Sequence, residues 1–165
     1  GRAVPPAAIS EALHHTLICD RWGLIHAPVL DERLARLYML EGEGPAAEPY
    51  LRRVVERKPW DPEPRVNLAA VLLMRSEVEE AIFHLRAVTE TAPGPQPGDT
   101  EGVRFCASAH EMLGQVREAQ GDQTAAIGEY RIALKLWPDS PGARTALASI
   151  GAGADSALTA ATVAK

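Results

Sequence analysis

Four marker positions recur along this chain at a fixed interval. Pro59 and Pro93 are 34 residues apart, and so are Ala47 and Ala81, Leu34 and Leu68, and Leu51 and Leu85. The next copies stand 45 residues further on, at Pro138, Ala126, Leu113 and Tyr130, so all four markers shift by 34 plus a common insertion of 11. A period of this size marks a chain that stacks short supersecondary units, because such a unit cannot bury its apolar face alone. The units fall at 28–61, 62–95 and 107–140, with the insertion at 96–106.

Each unit reads as two helices. In the third, Ala109, Met112, Leu113 and Val116 hold the i, i+3, i+4, i+7 spacing of one helix face. Gly121 ends that run, since glycine readily takes the left-handed conformation of a helix stop. Ile127, Tyr130, Ala133 and Leu134 form the next face. Pro138 closes it, because proline lacks the amide proton and its ring clashes with the preceding turn. The recurring positions are small at Ala35, Ala69 and Gly114 and again at Ala47, Ala81 and Ala126, with a large residue four positions after the second set. Small side chains at a crossing let two helix axes approach toward the short end of ~8–10 Å.

This pattern resembles the tetratricopeptide repeat (TPR) family, whose unit is ~34 residues folded as two antiparallel helices. The resemblance implies an all-α fold, a right-handed α-solenoid of about three TPR-like helix pairs with an N-terminal helix and a C-terminal capping helix. There are departures. The family often places Trp near the start of the first helix, where this chain has Asp31, Arg65 and His110. An aromatic later in that helix survives only as Tyr38, with Leu72 and Arg117 in the other copies.

The flanks are read separately. Residues 1–27 form an N-terminal extension with a capping helix expected at 10–25, apolar at Leu13, Leu17, Ile18 and Trp22. Asp99 or Thr100 is suited to cap a helix, so the first helix of the third unit should begin near 100 and run about two turns longer than its counterparts. Residues 141–165 should supply a capping helix that ends at Gly151, then a small-residue stretch over 152–165 that reads either as a tail or as a weak helix from 155 ordered only against a partner. The chain starts with Gly, as expected of a processed protein or an excised domain.

Composition narrows the function. A net charge of −5 disfavours nucleic acid or an anionic membrane as partner. The longest apolar run, 68–74, falls far short of the ~18–20 residues that span a bilayer. The expectation is a soluble protein of the bacterial cytoplasm or periplasm, the bacterial source being inferred from its excess of Arg over Lys. His15 and Cys19 stand at i, i+4 near His14 and His26, but zinc needs four ligands and no CxxC or HExxH frame completes the set. Nor does any nucleophile–base or phosphate-loop pattern appear. No cofactor, small-molecule substrate or catalytic residue is therefore expected.

The resemblance implies instead that the first helices line a concave groove for a partner peptide or helix. Residues one step off the packing stripe would face it: Glu32, Arg36 and Met39, then Val66, Asn67, Ala70, Leu73 and Met74, then Glu111, Gln115 and Glu118. The family's basic clamp for acidic tails is missing, since Glu32 and Glu111 occupy inward positions expected to be basic. An apolar segment with some basic character fits better. The alternatives are a structural subunit held through its convex face or termini, and a metal-linked role for the His/Cys helix.

Overall fold

The computed structural model describes residues 6–22, 27–91 and 99–151. All the regular structure among them is helical. In chain order the helices are α1 (Pro6–Arg21), α2 (Ala27–Glu41), α3 (Gly44–Arg57), α4 (Pro62–Met74), α5 (Val78–Thr91), α6 (Thr100–Ala119) and α7 (Gln123–Leu136). A further helix, α8, covers residues 141–151. The chain divides into two compact units, Gly1–His84 and Leu85–Lys165, with the division inside α5.

In the first unit α1 packs on α2, α2 on α3 and α3 on α4. Leu34, Ala47, Ala69, Val71, Leu72 and Ala81 are wholly buried there, and Ala35, Leu51 and Leu68 nearly so. In the second unit α6 packs against α7. Ala126, Tyr130, Ala133 and Ala143 form its core cluster, with Leu134, Leu147 and Ile150 packed around them. The small residues at the crossings and the large residues that follow them are therefore core. Pro59 and Pro138 lie in the turns after α3 and α7. Pro93, the tail 152–165 and His26 lie outside the described residues.

The turn between the two helices of each pair is built the same way three times. Gly42 (φ 79°), Ser76 (φ 63°) and Gly121 (φ 83°) stand 34 and 45 residues apart, all in the left-handed region. The amide that follows each reaches back five residues, from Glu43 to the Tyr38 carbonyl, Glu77 to Leu72 and Asp122 to Arg117, at 2.9 Å in every case. This bond satisfies a carbonyl that the helix end leaves unpaired.

Two boundaries are of note. The N-terminal helix runs from Pro6 to Arg21, not 10–25: proline suits a first helical turn, whose amides lack intrahelical partners. The insertion opens α6, where the Asp99 carboxylate accepts the Gly102 amide at 2.8 Å. That helix has 20 residues against 15 in α2 and 13 in α4.

Candidate functional site

Where α2, α3 and α4 meet, the first unit has a cleft of about 50 Å³. Its floor is apolar, from Ala35, Leu51, Val54 and Pro64, and its rim carries Glu32, Arg36, Asp61, Glu63 and Asn67. The volume lies far below the ~300–1,000 Å³ of small-molecule pockets, so the cleft suits a single side chain. The sequence of α4 shapes one wall. Asp61 caps the helix by accepting the Glu63 amide at 3.1 Å, with Pro62 at its first position. This cap sets Glu63 opposite Arg36, whose guanidinium donates to both carboxylate oxygens at 3.2 and 3.3 Å. Across the rim Lys58 holds Glu32 at 2.8 Å.

Three of the residues expected to face a partner, Glu32, Arg36 and Asn67, are thus brought together here. Met39, Ala70 and Leu73 are half-buried, and Met74 is exposed. Val66 corrects the sequence reading: it is 2% exposed and belongs to the core. The reason is that α4 packs on α3 while its Arg65 reaches His84 of α5, so its buried arc is wider than one stripe. In the second unit Gln115 is exposed. The other two are engaged within the fold. Glu111 accepts the Ser140 hydroxyl at 2.5 Å, and Glu118 accepts the Tyr130 hydroxyl at 2.8 Å. Burial and the Glu118 charge together raise the Tyr130 phenol above its ordinary pKa.

The positions where the family often has Trp hold polar struts, which sequence reasoning missed. Asp31, 4% exposed, accepts from Arg53 at 2.7 and 2.9 Å and pairs with Arg57 at 2.7 Å. Burial pushes the Asp31 carboxyl up, but the hydrogen bonds from Arg53 and Arg57 outweigh it and hold the pKa below the usual value. In the next copy Arg65 lies 3.4 Å from His84 Nδ1 and also donates to the Pro59 carbonyl at 2.7 Å. In the third, His110 Nδ1 stands 2.7 Å from Glu129. Each first helix is thereby tied to the second helix of its own pair. The available signal was the shared repeat position of Asp31, Arg65 and His110.

A wider charge network surrounds α3. Arg52 joins Glu48 at 2.9 Å to Glu80 at 2.5 Å, and Arg75 pairs with both Glu48 and Glu77. The basic run of 52–58 is held by carboxylates within the fold. In α1, His15 lies 3.8 Å from Glu11, while Cys19 is a free thiol. Among the described residues no three His, Cys, Asp or Glu side chains gather as a metal site would require.

Two family models, each described as Tetratricopeptide repeat, match residues 38–99 and 107–150. The chain belongs to the tetratricopeptide repeat family. As a TPR protein it carries the repeat of an all-α solenoid, a repeat that serves protein–protein interaction and is typically non-enzymatic. One curated relative of this TPR chain is cellulose synthase operon protein C of Pseudomonas fluorescens (strain SBW25), 32% identical over 102 residues. That match covers 62% of this chain but only 8% of the relative's length. Among the described residues of the TPR chain, no helix is long and apolar enough to cross a membrane.

Proposed function

We propose that this chain is a non-enzymatic scaffold that receives a peptide or helix of a partner protein along its first helices and helps assemble a bacterial complex. The observation that supports it is the cleft between α2, α3 and α4, which joins an apolar floor to a rim of three carboxylates and one guanidinium. Such a site favours an apolar segment bearing a basic residue, whose cation can share Glu63 with Arg36. The named relative makes a cellulose synthase assembly one setting to try. A photoreactive residue at Asn67, in the cleft, should capture the partner from bacterial extract, while one at the exposed Glu79 of α5 should not. Equal capture at both positions, or none at Asn67, would defeat the reading.

A second reading is a structural subunit held through its N-terminal helix. Leu17, Ile18 and Trp22 are exposed by 38, 39 and 72%, which favours a covered surface there. Leu17→Ser with Trp22→Ser would then release the chain from its assembly and leave the Asn67 cross-link intact.

A further inference from the structure

Helix α8 repeats the sequence of a first helix. Arg144, Leu147 and Ala148 stand 34 residues after His110, Leu113 and Gly114. In the earlier copies these positions are covered or tied down. Ala35 and Ala69 are buried, and Gly114 lies under the Tyr130 ring. Asp31, Arg65 and His110 reach Arg53, His84 and Glu129 of the helix that follows. On α8, Leu147 packs toward the Tyr130 cluster, yet Ala148 is exposed and a Cβ added at Gly151 would meet nothing within 4 Å among the described residues. Arg144 is 63% exposed, with its guanidinium 2.5 Å from the Pro138 carbonyl and 3.8 Å from Asp139. Among the described residues helix α8 is therefore half of a pair, and the internal copies show what completes such a half.

We propose that the Arg144–Ala148–Gly151 face docks a helix of a partner protein with a defined pattern: a small residue, an acidic residue three positions on, and a large apolar or aromatic residue next to it. The pattern is that of α7, where Ala126 is followed by Glu129, which pairs with His110, and by Tyr130, which covers Gly114. Arg144 occupies the place of His110, so an acidic residue is its matching charge. The chain's own tail does not hold the pattern. Ala160 stands 34 residues after Ala126, but Val163 and Ala164 stand where the acidic and large residues are needed.

The test uses the full chain and a labelled peptide with the α7 sequence QTAAIGEYRIALKL, followed by fluorescence anisotropy. Ala148→Glu and Arg144→Glu change exposed side chains, and circular dichroism checks that both variants keep the fold. Saturable binding is expected, at least tenfold weaker to either variant. Changing the peptide's Glu to Arg should restore binding to Arg144→Glu. The proposal is overturned if the parent chain does not bind, or if Ala148→Glu binds equally well, which would mean the peptide replaces α7 instead. A tenfold gain in peptide affinity on deleting 152–165 would make the tail the occupant and overturn it too.

Discussion

The ring of Tyr130 lies against the backbone of Gly114: a Cβ built at 114 would stand 2.6 Å from Cε1 and 2.8 Å from Cδ1. The ring is wholly buried, and its hydroxyl is tethered to Glu118 at 2.8 Å, so it has little freedom to swing aside. Gly114→Ala gains about 1 kcal/mol of helix propensity. Forcing a methyl group into a packed crossing costs ~1–3 kcal/mol. The expected net loss is about 1 kcal/mol, read as a lower urea midpoint, and Tyr130→Ala should cost more, about 3–5 kcal/mol. A midpoint raised by Gly114→Ala would show that the crossing is not tight.

Ser76 holds φ 63° where the other two copies of its turn use glycine. A left-handed conformation costs an L-residue ~1–2 kcal/mol, and glycine returns part of that as entropy of the unfolded chain. Ser76→Gly should therefore stabilise the protein by about 0.5–1 kcal/mol. The same exchange in the middle of a helix would destabilise it, so thermal unfolding gives a clear sign.

Acid should weaken the fold in two stages. Burial and the Arg65 charge hold the His84 pKa below its ordinary 6.5, with Glu80 opposing and Arg52 adding to the effect. The folded state then resists a proton that the unfolded state accepts, so stability present above pH 6.5 is lost as the pH falls toward the lower folded value. Glu48, Glu80 and Asp31 are also depressed, from ordinary values of 4.5, 4.5 and 3.8, and their contribution is lost only at lower pH. Denaturant midpoints measured from pH 7.5 to 5 should decline, and His84→Gln should flatten that decline. An equal slope in the variant would assign the effect elsewhere.

Asp31→Ala removes a buried carboxylate shared by Arg53 and Arg57. Breaking a fully buried pair costs ~3–5 kcal/mol, but both arginines reach solvent here, so about 1–3 kcal/mol is expected. Amide exchange should quicken in α2 and α3 and stay unchanged in α7.

The sequence carried the helix pairs, their crossings and their turns, because each depends on one residue type at one repeating position. Ala47, Ala81 and Ala126 do the same task three times, and a task repeated is visible without coordinates. The struts were not visible, because each copy uses a different chemistry. Asp31 joins a residue 22 positions away, and Arg65 and His110 join residues 19 away, spacings that belong to no helix period. Arg57 and Lys58 are a like case, since a row of cations looks free until Asp31 and Glu32 are seen beside it. Glu32, Arg36 and Asn67, expected to face a partner, do lie together at the cleft. The same expectation failed at Val66, where the helix has more than one packed side.

Copies of one unit along a chain carry a hazard during folding, because a first helix can choose the wrong second helix. The struts make that choice costly. Asp31 set against the copy of α7 would face the carboxylate of Glu129, and His110 set against α3 would lose that carboxylate and meet Tyr50 at the matching place. The fastenings of Asp31 and His110 thus act against these mispairings, and they help a repetitive chain find a single register.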